Sequence, residues 1–278
     1  MKLIKEAIRK TPLFAPLKYA YRKLKKIPRH PLQGSKTVSG YDYIYLGTEY
    51  GGWSLVDDPQ LYGSTIISAG LGEDASFDIE FAAKFGARII IVDPTPRSVA
   101  HFRKIETRLG MKRTIPYGNL GCQPIESYDL SSVSTSNLSL VEKALWNKST
   151  TLKFFSPVNP RNVSHSIVNY QQQYRTDSES IEVPTTTVID LIDDFNLQGE
   201  EIPLIKLDIE GAEIEVIEHM MALGIQPRQI LVEFDELNVG SERGFTRVSK
   251  IDSLLVEAGY KMLQTNGQAD FLYFKDGL

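Results

Sequence analysis

Two groups of residues in this 278-residue chain combine types and spacings that chemistry requires. In the first, Gly70-Leu71-Gly72 separates an apolar run from an amphipathic stretch, and Asp93 follows Gly72 by 21 residues. Glycines at a strand-to-helix turn let backbone amides and a helix N-terminus approach an anionic or polar ligand. A carboxylate ending the next strand is placed to accept hydrogen bonds from two ribose hydroxyls, and Gly-x-Gly-x-x-Ala, ending on Ala75, fits a dinucleotide fingerprint. Tight turns also need glycine on steric grounds, so the glycines alone are weak. Joined to Asp93, they point to a nucleoside-type cofactor.

The second group is Ile205-Lys206-Leu207-Asp208-Ile209-Glu210-Gly211-Ala212-Glu213. On a strand, Lys206, Asp208 and Glu210 fall on one side, alternating with the apolar residues. Buried charges are costly unless paired. Three of them on a central strand imply that its end opens into the crevice where α/β sheets bind ligands. A Lys206–Asp208 ion pair with acids at a helix N-terminus is the plain structural account, but Gly211 and Glu213 continue the pattern beyond what capping needs. Three features are softer. Gly51-Gly52-Trp53 either closes over a cofactor or covers a core edge. His165, in Ser164-His165-Ser166, is a candidate for acceptor contact or proton removal, set against an ordinary surface histidine. Glu233, ending Ile230-Leu231-Val232-Glu233, either orients an acceptor or pairs with Arg228 or Lys206.

The elements that must hold these residues read as alternating strands and helices from Ser64 onward. Thr65–Ser68 is a buried strand, and 74–85 is a helix with Phe77, Phe81 and Phe85 on one face, closed by Gly86. Arg88–Val92 is a strand buried on both faces. Thr95 caps a helix that has Pro96 at its first position and stops at Gly110. Residues 127–139 read as a Ser/Thr-rich loop insertion, with strand signals at 138–146 and 151–155. A short helix at 187–195, a strand at 202–208, a helix at 211–223, a strand at 229–234 and a helix at 248–258 follow. The chain closes on a hairpin, 260–264 with 271–275, around Asn266-Gly267. Repeating strand–helix units imply an α/β fold, a doubly wound, mainly parallel sheet with a C-terminal antiparallel hairpin. Upstream, residues 28–63 read as a linker or edge segment, and 1–27 as a broken helix with two apolar stripes. The division is thus a basic amphipathic helical arm at 1–35 and one domain at 36–278.

Charge is uneven along the chain. Residues 1–30 hold ten Lys or Arg and one acid, Glu6, whereas the other 248 residues hold 21 basic and 34 acidic side chains. An acidic body argues against nucleic acid as a partner, because phosphate contacts need a basic surface. The arm beside an anionic leaflet would gain about 1 kcal/mol per basic residue, so peripheral membrane contact through residues 1–30 and packing on the acidic body both stand as readings. One cysteine, Cys122, rules out an internal disulfide and any Cys-based zinc site, and the expectation is no metal, with a magnesium ion held by Asp208, Glu210 and Glu233 as the alternative. The arm lacks the 7–15-residue apolar core of a secretory signal, no apolar run reaches about 18 residues, and the expected location is the cytoplasm.

Residues 204–213, Leu-Ile-Lys-Leu-Asp-Ile-Glu-Gly-Ala-Glu, resemble the signature of the FkbM family of S-adenosylmethionine-dependent methyltransferases. Residues 68–78 and Val92-Asp93-Pro94-Thr95-Pro96 resemble that family's cofactor loop and ribose-binding strand end, and the similarity spans about 51–274. The resemblance implies a Rossmann-like class I methyltransferase fold and S-adenosyl-L-methionine as cofactor. It sets Gly70 and Gly72 under the cofactor, Asp93 on its ribose, and Leu145 and Trp146 near the adenine. Ser68 stands where the glycine motif usually opens with an acid, which leaves Glu73 or Asp208 to meet the methionine amine. Asp208 and His165 are the candidate catalytic residues, and the acceptor implied is a hydroxyl on a sugar, glycan or related small molecule. Two alternatives come from other classes. A nicotinamide-dependent short-chain reductase needs a Tyr-x-x-x-Lys pair, which occurs only as Tyr19/Lys23 and Tyr21/Lys25 inside the arm. A non-catalytic cofactor-fold module docked on membranes by its arm is the other.

Overall fold

The computed structural model describes residues 32, 34, 36–155, 179–238 and 241–277. The basic arm at 1–30 and His165 lie outside the described residues.

Three short strands open the described chain: β1 (Lys36–Thr37), β2 (Tyr43–Leu46) and β3 (Trp53–Val56). The aromatic run expected to be a linker or edge is instead half of an antiparallel hairpin, with Tyr43 opposite Val56 and Leu46 opposite Trp53. Its period-2 alternation inside a Gly-flanked stretch is the signal that makes a strand. Next come β4 (Thr65–Ala69) and α1 (Ser76–Phe85). The three phenylalanines of α1 stack along one face, their ring centroids 5.7 and 4.6 Å apart, and Gly86 ends the helix at φ 60°.

β5 (Arg88–Val92) leads into α2 (Pro96–Glu106), which ends sooner than expected. Thr95 sits at the N-cap, but its hydroxyl caps no backbone amide of the helix and meets the Ser98 hydroxyl instead, at 2.6 Å. β6 (Leu138–Val141), β7 (Ala144–Leu145), β8 (Thr151–Phe155) and β9 (Ser180–Thr186) follow. The expected single strand at 138–146 is thus two, and β9, which the sequence did not announce, pairs with β7 and β8 in a small separate sheet. A Thr187/Asp190 capping box starts α3 (Val188–Asp194). The last elements are β10 (Leu204–Leu207), α4 (Glu213–Ala222), β11 (Gln229–Glu233), α5 (Glu242–Glu257), β12 (Tyr260–Thr265) and β13 (Asp270–Lys275).

The main sheet runs β1-β12-β13-β11-β10-β4-β5-β6. From β11 to β6 every pairing is parallel, while β13, β12 and β1 add antiparallel pairings beyond β11. Strand alternation divides the core between two faces. Ile66, Ile89, Ile91, Leu204 and Leu231 pack with α1 and α2. Ile67, Ile90, Ile205, Leu207 and Ile230 pack with α3, α4 and α5. Strands apolar on both sides are what two helical layers demand. The chain order reverses between β4 and β10, so the crevice of a doubly wound sheet opens beyond the carboxyl ends of these two strands.

One buried polar side chain fastens the first hairpin to this sheet. Gln229, fully buried, accepts a hydrogen bond from the Val56 amide and donates one to the Val56 carbonyl, both at 2.9 Å. Gln229→Leu leaves two buried backbone groups unpaired, each costing about 1–3 kcal/mol. Urea unfolding should show a loss of about 2–4 kcal/mol, and a variant as stable as the parent would refute this role.

Candidate functional site

The bend after β4 is held by charge. Gly70 takes φ 88° and Gly72 φ 59°, left-handed values that glycine reaches without steric cost. A Cβ on Gly70 would lie 1.8 Å from the carbonyl oxygen of Asp208, so glycine is required there on two counts. Asp93 shapes the rest. Its Oδ2 accepts from the amides of Leu71 (2.9 Å) and Gly72 (3.1 Å), and its Oδ1 accepts from the Thr95 amide (2.8 Å) and hydroxyl (2.7 Å). Four donors fill the lone pairs of one carboxylate. A ribose diol at Asp93 would therefore compete with Thr95 or with the bend's own amides.

On the other side of the bend, Lys206 is 3% exposed, and its Nζ donates to the Gly70 carbonyl at 2.5 Å. The same ammonium lies 3.9 Å from Asp208 Oδ2 and 5.9 Å from the Trp53 ring centroid. The side chain of Asp208 is 35% exposed at the mouth of the crevice, and its amide donates to the Ala69 carbonyl at 3.1 Å. Burial raises its pKa, Lys206 opposes this, and Asp93 adds to it. The alternation expected through Glu210 breaks here. β10 ends at Leu207, Glu210 takes φ 57° and Gly211 φ 100°, and α4 begins at Glu213 rather than Gly211. Glu213 is fully buried and accepts from the amides of Ile209 (2.9 Å) and Gly211 (3.0 Å). It clamps the turn, and burial followed by the charge of Glu236 pushes its pKa well up.

Further carboxyls line the far side. Glu233 ends β11 directly opposite Asp270 of β13. It pairs with neither Arg228, which bonds Asp58 at 2.7 Å, nor Lys206. Its Oε1 accepts from Asn238 Nδ2 at 2.9 Å. Burial first, then Asp208, carries Glu233 to about 8 and Asp270 to about 6. Tyr50, 70% exposed, covers the mouth with its ring packed where Gly121 leaves room, and burial together with Asp208, Glu210 and Glu233 raises its phenol.

A cavity of about 490 Å³ joins the two ends, within the range of small-molecule sites. Of the expected site residues, Gly70, Gly72, Glu73, Asp93, Leu145 and Asp208 line it. Trp146, one residue past the end of β7, does not, although its neighbours Ala144 and Leu145 both do. His165 lies outside the described residues. Sequence reasoning passed over Tyr50, Asn238, Gln268 and Asp270; the pairing of β13 with β11, which sets Asp270 against Glu233, is a long-range one that no local pattern gives. Among the described residues, no three His, Cys, Asp or Glu side chains group so as to hold a metal ion. None of the described helices is long and apolar enough to cross a membrane.

Glu233 holds its proton more tightly in the folded chain than in the unfolded one. Its contribution to stability is therefore complete below about pH 4.3 and is lost as pH rises through about 8. Replacing it with glutamine should flatten the decline in melting temperature between about pH 5 and about pH 9. Parallel melting curves for Glu233→Gln and parent would show the group to be unperturbed.

Comparison with known proteins adds two matches. The family profile described as "Methyltransferase FkbM domain" matches residues 67–262. Among solved structures, a fibrillarin pre-rRNA processing protein of Methanococcus jannaschii is similar at 10% identity and a TM-score of 0.35. The match covers 88% of this chain and 89% of that one. No curated protein matches the sequence.

Proposed function

Since the chain belongs to the FkbM methyltransferase family, a class I, Rossmann-like fold that uses S-adenosyl-L-methionine as methyl donor, we propose that it methylates the oxygen of a hydroxyl on a sugar, a glycan or a related small molecule. The observation that carries the reading is the single cavity with a glycine bend at one end and acids and amides at the other. The donor fits the residues present: its size suits the cavity, Leu145 offers an apolar wall, Gly70 and Gly72 offer the turn, Glu73 and Asp208 offer acceptors, and Asp93 offers one in exchange for a donor it now holds. When bound, it supplies a methyl group on a positively charged sulfur.

The chain's own work is positioning and proton removal. Alignment of two reactants in a dry crevice contributes about 7–11 kcal/mol. The far end offers Asp208, Glu233, Asn238, Gln268 and Asp270, groups that exchange hydrogen bonds with neighbouring hydroxyls and repel anionic acceptors. In this reading Asp208 takes the hydroxyl proton, because its raised pKa makes the carboxylate a better base. His165 is the second candidate for that role. With methyl-labelled donor and a glycan extract, label should appear in sugar methyl ethers, and Asp208→Asn should slow transfer by about 10²–10⁴-fold. No label in any sugar fraction would refute the acceptor class.

We also propose that the protein works in the cytoplasm, without nucleic acid, and that residues 1–30 rest on an anionic membrane face. Nine net positive charges beside apolar stripes support this. Anionic vesicles should pellet the full chain and leave a chain lacking residues 1–30 in solution. Equal pelleting of the two would dismiss the membrane role.

A further inference from the structure

The methyl donor carries a carboxylate on its methionine end, and the crevice must place that negative charge somewhere. Glu73, Asp74, Asp93, Asp208, Glu233 and Asp270 all line the cavity. Among the described residues, its one basic side chain is Lys206. The bend's amides offer no alternative: Gly70 N donates to the Val92 carbonyl, and those of Leu71 and Gly72 donate to Asp93. Gly51 and Gly52, near the cavity mouth, likewise direct their amides to the Thr48 hydroxyl and carbonyl.

We infer that Lys206 is the receptor for the donor's carboxylate and so fixes which way round the donor lies. An ammonium has three donors. One is spent on the Gly70 carbonyl at 2.5 Å, and Asp208, at 3.9 Å, is beyond direct hydrogen-bond distance. Lys206 therefore has donor capacity left at the cavity wall, and it is the one cation along the described lining, where Asn238 and Gln268 offer only neutral amides. The inference depends on the donor alone and is indifferent to the acceptor. It has one consequence for the chemistry: a carboxylate drawn to Lys206 shares the cation with Asp208 and loosens the restraint on that residue's basicity. Lys206 is here a binding and positioning residue, distinct from the proton acceptor.

Calorimetry with S-adenosyl-L-methionine and with its decarboxylated form isolates the contact, because the two ligands differ only in the carboxylate. A charged hydrogen bond of this kind is worth about 10–100-fold in affinity, so the parent protein should bind the decarboxylated form more weakly by that factor. Lys206→Met should lose the preference, binding both ligands at nearly the same affinity, whereas Lys206→Arg, which keeps the charge, should retain much of it. Lys206→Gln, still able to donate to the Gly70 carbonyl, replaces the methionine variant if that one fails to fold. A parent that binds both ligands equally overturns the inference, as does a preference that survives in the neutral variants. A merely structural role for Lys206 would weaken both ligands alike and leave their ratio unchanged. Because no acceptor enters the experiment, failure here is separate from failure of the hydroxyl reading.

Discussion

Opposite charges pull on the two sides of one short bend. Asp93 draws the amides of Leu71 and Gly72 toward β5, and Lys206 draws the carbonyl of Gly70 toward β10. A left-handed bend pulled both ways is held at the switch point, where the sheet leaves space for a ligand. Remove either charge and the bend loses an anchor on that side. Lys206 also places the only basic side chain of the described lining against a wall of acids, so the device that shapes the bend sets the field inside the cavity.

That field explains why a dense group of carboxyls is tolerable. Asp208, Glu233 and Asp270 come from the ends of three neighbouring strands, β10, β11 and β13. Burial raises the pKa of each, and the charge of Asp208 raises those of Glu233 and Asp270 further. Glu233, at about 8, is largely protonated near pH 7 and donates as well as accepts hydrogen bonds, which suits a polyhydroxyl acceptor better than a row of fixed anions would. A positively charged donor entering the same crevice would favour the ionised forms. The site's protonation is thus coupled to its occupancy.

The parts of this architecture that the sequence displayed are those governed by local periodicity. β4, α1, β5 and α4 follow from apolar runs, phenylalanine spacing and closing glycines. Glycines and Asp93 could be paired before any coordinates, because one helix and one strand separate them by a fixed length of chain. What stayed hidden depends on distant pairing. β9 announces itself only against β7 and β8, and its Pro184 interrupts the usual strand signal. The β2–β3 hairpin reads as a linker until Gln229, more than 170 residues away, satisfies the Val56 backbone. Glu233 was visible as a strand-end acid, but Arg228, the basic residue nearest it upstream in the sequence, is taken by Asp58, a contact no local pattern encodes.

The signature string itself divides its labour more finely than its regular spacing suggests. Strict alternation would turn Lys206, Asp208 and Glu210 to one side, and the chain obeys it only as far as Asp208. Beyond that, Glu210 adopts a left-handed conformation that costs a non-glycine residue about 1–3 kcal/mol, and Gly211 follows with a positive φ. Glu213 then reaches back from the first turn of α4 to hold the amides of Ile209 and Gly211. A buried carboxylate is an expensive clamp, sustained only because those amides would otherwise be orphaned at the helix start. The strained turn aims Asp208 outward at the crevice mouth while its own amide stays bonded to β4. Within the string, then, Lys206 secures the bend, Asp208 faces the crevice, and Glu213 keeps the backbone between them in the one shape that separates the two tasks.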